Sequence, residues 1–175
     1  MAGVRLAHKD FIISKDVTNT LQFENIFSQH YSAYEILGHN LVSSYGGVRD
    51  NLMMSLLDAN GNVIADGSYQ SQRNDIRSNV TTLNSGSSNN ANSWVFARYS
   101  DDSFGTNFRA VIHTPFESDS ITMFINEISS NNSSNLYYYS MAGVHQSAER
   151  ITGFRLYGEL YEVIGGNISV YGIGG

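Results

Sequence analysis

The chain has no cysteine, one proline and, among its ten basic residues, only two lysines (Lys9 and Lys15). Without cysteine there is no disulfide framework, no thiolate zinc site and no cysteine nucleophile. Charge is also sparse, at 15% of residues against a typical value of about 25%. The net charge of −6 and a pI near 5.2 exclude a general nucleic-acid binder, because affinity for a phosphate backbone comes from clustered Lys and Arg. No apolar run approaches the roughly 20 residues of a membrane span, so a membrane partner is not expected. Met1–Lys15 carries no apolar stretch of signal-peptide length.

What is present is a hydrophobic fraction of 41% and an aromatic fraction of 12% in 175 residues. That is one domain's length and supplies a real core. Asn, Ser, Gly and Tyr take the place of charge. Helical periodicity is weak, and Glu24–Tyr34 has room for one turn at most. Strand signals recur instead at Thr20–Phe23, Tyr34–Leu37, Leu52–Leu57, Val63–Ser71, Trp94–Ser100, Phe108–Thr114, Ile121–Ile128, Leu136–Ala142, Ile151–Tyr157 and Asn167–Ile173. Short apolar or alternating runs between polar breaks predict an all-β antiparallel sandwich or barrel. Residues 21–175 are expected to form the domain and residues 1–20 a short N-terminal arm, with Phe11, Ile12 and Ile13 as candidate anchoring residues. Two low-complexity stretches, Asn84–Ser93 and Ser129–Asn135, are expected as loops at the ends of the sheets.

Each enzyme template is missing. The sequence has no G-x-S-x-G elbow, no H-E-x-x-H pair and no phosphate-binding loop. The five histidines lie far apart, without metal-ligand spacing. Glu127, Glu159 and Glu162 are the acids nearest to apolar strands, where edge charge is their commoner role. Asp58, Asn60, Asn62 and Asp66 resemble the opening of a calcium loop. The completing glutamate is absent, and Asn60-Gly61 alone explains a hairpin turn. No metal or cofactor is therefore expected. Trp94 and Tyr137-Tyr138-Tyr139 are candidate contact residues for a partner or a glycan, since aromatic faces stack on sugar rings. Strand alternation puts Tyr137 and Tyr139 on one face and Tyr138 on the other, so at least one face of the trio belongs to the core.

Phe23, Ile26, Tyr34, Ile36, the apolar run Leu52–Leu57, the turn Asp58–Gly61, and Ser68-Tyr69 follow one another in an order that resembles small jelly-roll virion proteins of tailed bacteriophages. These are tail, fibre, knob or capsid-associated proteins, especially of podoviruses of marine bacteria. The C-terminal ITGFRLYGELYEVIGGNISVYGIGG resembles their closing hairpin, with Tyr171-Gly172-Ile173 on the last strand. The resemblance implies a structural role in the virion, assembled in the host bacterial cytoplasm, with other virion proteins and further copies of the chain as partners and no catalysis. Scarce lysine fits a surface covered by partners, because Lys is depleted at interfaces. A host-surface glycan is the alternative partner, and a glycan-cleaving enzyme would require two carboxylates in one cleft.

Overall fold

A computed structural model describes residues 4–11, 20–44, 50–77, 84–99, 105–113, 115–116, 122–132, 135–146 and 149–174. Among them are twelve strands and no helix. They are β1 (Val4–Phe11), β2 (Leu21–Phe23), β3 (Ala33–Ser43), β4 (Asp50–Leu57), β5 (Tyr69–Arg77), β6 (Asn84–Ala91), β7 (Trp94–Tyr99), β8 (Thr106–His113), β9 (Thr122–Asn132), β10 (Asn135–His145), β11 (Gly153–Gly158) and β12 (Val163–Ile173). All pairings between them are antiparallel. The stretch Glu24–Tyr34 holds a turn closed by the Tyr31 amide on the Ser28 carbonyl, 3.4 Å, rather than a helix.

Two sheets result. One has eight strands in the order β1-β12-β3-β8-β9-β10-β5-β6, and the other has four in the order β2-β11-β4-β7. Setting aside the pairs β5–β6 and β9–β10 leaves two four-stranded layers, β1-β12-β3-β8 and β2-β11-β4-β7. Within this frame, taken in the order β1, β2, β3, β4, β7, β8, β11 and β12, the chain changes layer at every step but one, since β4 and β7 lie side by side in the smaller layer. The remaining strands extend the larger sheet beyond β8 as a four-stranded extension.

The layers face each other across an apolar core. Strand β8 shows why its sequence is a strand: Thr106, Phe108, Ala110 and Ile112 are buried, while Asn107 and Arg109 are exposed. This period of two puts one face on the core. Phe108 meets Phe96 of β7 edge-on at 5.4 Å, joining the two sheets. Phe154 of β11 stacks on Phe23 at 4.7 Å and on Phe27 at 5.8 Å, and Phe27 in turn touches Tyr34 of β3. Buried hydroxyls are satisfied in place. The Tyr34 hydroxyl donates to the Ser28 carbonyl and accepts from the Ser28 amide. The Tyr69 hydroxyl donates to the Ile64 carbonyl and accepts from the Leu56 amide, tying β5 to β4. Gly38 lies under the ring of its cross-strand partner Phe108, where a Cβ would sit 2.2 Å from a ring carbon. The absence of a side chain is what lets this aromatic lie flat on the sheet.

Three expectations are revised. The segment assigned to an arm contributes an edge strand: β1 pairs with β12 from Val4↔Gly172 to Phe11↔Gly166. Its side chains alternate poorly in polarity, and strand pairing forms it instead. Asn84–Ala91, expected as a loop, is the edge strand β6, paired with β5. Ser129–Asn132 continues β9 and Asn135 opens β10, so most of the second polar stretch is hairpin as well. These segments are rich in polar residues, but neighbouring strands offer their backbones a ladder of hydrogen bonds.

Candidate functional site

The strands β10, β5 and β6 present one face outward. In β5 the exposed residues are Gln70, Gln72, Asn74 and Ile76, alternating with the more covered Tyr69, Ser71, Arg73 and Asp75. Register sets Tyr138 opposite Ile76, Ser140 opposite Asn74, Ala142 opposite Gln72 and Val144 opposite Gln70. On the other side Ser85 and Ser87 of β6 stand opposite Asn74 and Gln72. This face carries amides, hydroxyls and small apolar groups and no charged residue. At one end sit two of the large apolar side chains that remain exposed, Ile76 at 51% and Tyr138 at 40%. Uncharged surface with an aromatic at its edge, in a chain of net charge −6, suits a dry contact better than solvation alone.

The structure separates the aromatic residues singled out in the sequence. Trp94 has no exposed surface. Its indole N–H donates to the Val144 carbonyl at 2.9 Å, and its ring meets Tyr69 edge-on at 5.4 Å. Tyr139 is also fully buried. A ring without accessible area cannot stack on a sugar, so neither offers a platform; Trp94 instead fastens the extension to β7. Tyr138 is the exposed member of the trio, as strand alternation requires. Tyr137 lies in β10 opposite Arg77, and its side chain is outside the described residues, like that of Phe11 in β1. Ile12 and Ile13 lie outside the described residues altogether.

Behind the face, at the base of the extension, is a buried polar cluster. The His145 side chain is fully buried, with Nε2 3.4 Å from Asp66 Oδ1, an ion-pair distance without the direction of a good hydrogen bond. Its ring packs on Tyr69 at 4.4 Å and faces Trp94 edge-on at 6.3 Å. Burial pulls the His145 pKa below its ordinary value, and the attraction of Asp66 and Glu149 only partly opposes it. Partial burial raises the Asp66 carboxyl, but hydrogen bonds from the Ser68 hydroxyl and amide, together with His145, outweigh this and hold it below the usual carboxylate range. Burial also raises the Tyr69 phenol well above its ordinary range. With Trp94 these three form a joint between β5, β10 and β7.

The calcium-like loop is a hairpin turn. Asp58 Oδ1 accepts from the Asn60 and Asn62 amides at 2.8 Å each, and Oδ2 accepts from the Asn62 side chain at 3.1 Å. Hydrogen bonds from Asn62 lead the effects that hold the Asp58 carboxyl below its usual value. Gly61 closes the turn at φ +78°. Among the described residues no group of three or more His, Asp or Glu side chains is placed to hold a metal ion. A hollow of about 110 Å³ lies among Ser71, Arg73, Gly86, Ser88 and Val95, well under the roughly 300 Å³ at which small-molecule sites begin. Glu159 Oε2 accepts from the Asn51 side chain at 2.6 Å, and Glu159 shares the β11–β12 loop with Glu162, whereas Glu127 lies on β9.

Sequence reasoning missed Ile76, Leu160 and Asp50. Ile76 carried a weak signal, as the lone apolar residue of QSQRNDIR, and Leu160 another, between Glu159 and Glu162. Asp50 carried none, because its role depends on a loop more than a hundred residues away. No protein-family model matches the chain, and comparison with curated proteins and with solved structures gives no match.

Proposed function

We propose that the protein is a bacteriophage virion structural protein, a jelly-roll module that decorates or attaches to the capsid or tail and acts by protein–protein packing. The observation that carries this reading is the strand order. Layers of β1-β12-β3-β8 and β2-β11-β4-β7, between which the chain crosses at every step but β4 to β7, support a reading as an eight-stranded jelly roll. Of the residues that carry the sequence resemblance, Phe23, Tyr34, Ile36, Leu52, Leu56 and Tyr69 are core and Asp58–Gly61 is a tight turn, which supports the reading. A fold supports many functions, so the test is direct. Particles purified from infected host cells and analysed by mass spectrometry are expected to contain the chain at a fixed ratio to the major capsid protein. Its absence from intact particles would overturn the proposal.

The uncharged outward face favours one second reading, contact with a host-surface glycan. Gln70, Gln72 and Asn74 offer amides to sugar hydroxyls beside the Tyr138 ring. A glycan array that stays blank with the purified chain removes it and leaves the packing role untouched.

A further inference from the structure

Among the described residues two carboxylates and one imidazole are almost fully buried: Asp50, Asp75 and His145. The carboxylates are fastened. Asp50 Oδ2 accepts from the Leu160 amide at 3.0 Å and from the Tyr161 amide at 2.8 Å, and Asp75 pairs with Arg73 at 2.7 Å. His145 is not. Neither of its ring nitrogens has a hydrogen-bond partner, and Asp66 Oδ1 lies 3.4 Å from Nε2 without the direction of a bond. A buried polar group left in this way calls for a role.

Its place in the fold supplies one. His145 ends β10, opposite Tyr69 of β5 and Thr122 of β9. One residue earlier, the Val144 carbonyl accepts from the Trp94 indole of β7 at 2.9 Å. The Leu56 amide of β4 donates to the Tyr69 hydroxyl, also at 2.9 Å. The extension is thus latched to the smaller sheet around His145. On its other side it continues from β8 through the β8–β9 ladder, Thr106↔Ser130 to His113↔Met123. The titratable groups facing the imidazole are Asp66 from the β4–β5 connection, Glu149 from the β10–β11 connection and the Tyr69 phenol. From β7 it meets the Trp94 ring.

We propose that His145 is a proton-operated latch: when its imidazole is protonated, the extension lifts from β7 on the β8–β9 ladder and uncovers Trp94. An imidazolium carries two N–H donors. In the closed structure Nδ1 has no acceptor and Nε2 has only the poorly aligned Asp66 carboxylate, so a charge and its donors would be buried unsatisfied. Once the latch is open, both N–H groups reach water. The open form therefore holds the proton more tightly, and lowering the pH shifts the population towards it. The reduced proton affinity that burial gives His145 agrees with this. The frame keeps its own core of Phe23, Phe27, Tyr34 and Phe154, in which His145 takes no part. Opening is accordingly local and reversible. The device goes beyond the virion role and does not depend on it.

The chain has a single tryptophan, and it is the fully buried Trp94, so intrinsic fluorescence reads the latch directly. As the pH of the purified chain falls from 7 to 5, below the ordinary histidine value of 6.5, emission is expected to shift to the red and acrylamide quenching to rise. Both should return on neutralisation, while amides of β3, β4 and β12 keep their protection from hydrogen exchange. His145→Gln, which cannot take up the proton, is expected to hold Trp94 covered throughout. Asp66→Asn strips the imidazolium of its facing carboxylate and is expected to move the transition to higher pH. It also keeps the test decisive if His145→Gln does not fold. Emission unchanged down to pH 5, a red shift that persists in His145→Gln, an Asp66→Asn transition no higher than that of wild type, or loss of protection in the frame together with the extension would each overturn the proposal.

Discussion

The frame and the extension use the same antiparallel ladder, and differ in what lies behind it. In the frame, Tyr34, Ile36, Leu52, Met54, Phe96, Phe108, Phe154 and Val170 are buried from both layers. In the extension, the covered side chains include Tyr69, Asp75, Tyr139 and His145, so polar atoms face inward alongside Met141. Among the described residues β7 backs it, through Trp94 and its contacts with Tyr69 and His145, and the Tyr69 hydroxyl ties it to Leu56 of β4. Backbone pairing can therefore hold a polar segment as strand where side chains alone would leave it a loop. It then leaves an uncharged face turned outward. The frame supplies stability and the extension supplies surface.

The largest expected effect would come from the frame. Phe154→Ala removes a fully buried ring stacked on Phe23 and Phe27, and the cost is expected to be about 3–5 kcal/mol. Urea unfolding should show a lower midpoint, detected equally by probes in both regions; a loss confined to the extension would reverse the assignment of roles. Trp94→Phe addresses the joint. It leaves the Val144 carbonyl without its donor, at about 1–3 kcal/mol. Hydrogen exchange is expected to quicken in β10 and β5 while β4 and β12 keep their protection.

A pH titration sharpens the same boundary. Folded His145 binds a proton less readily than the unfolded residue, whose value is near 6.5. The unfolded state therefore takes up more protons between the folded pKa and 6.5, and stability falls as pH drops through that window. Asp66, with a lowered folded pKa, adds its own loss only further down, as pH falls through the ordinary carboxylate range. In His145→Gln the loss between pH 7 and 5 should flatten, read from thermal midpoints; an unchanged slope would remove His145 as its source. The smallest effect is expected at the outward face. Tyr138→Ser should shift stability by less than about 0.5 kcal/mol, measured by thermal unfolding, and a larger loss would mean that the face is core.

Most of the frame was legible in the sequence because burial there imposes either a continuous apolar run, as in β4 and β7, or a period of two, as in β8: Leu52–Leu57, Trp94–Ser100 and Phe108–Thr114 lie within a residue or two of those strands. The missed strands, β1 and β6, are the two edges of the larger sheet. One face of the ladder is all they need, so their sequences carry no apolar pattern to read. The site was legible only in part. Alternation within Tyr137–Tyr139 separated an outward ring from an inward one. That Trp94 is the inward anchor, and that Asp50 holds the Leu160 loop, depends on contacts between distant segments that no local pattern records.

Native-state hydrogen exchange across denaturant is the most direct test of the division between frame and extension. Amides of β12, β3 and β4 are expected to exchange only through global unfolding. Those of the β5–β10 ladder around Asp75 and Tyr139 should open at a distinctly lower free energy, as a separate cooperative unit. One common opening energy for both sets would contradict the account.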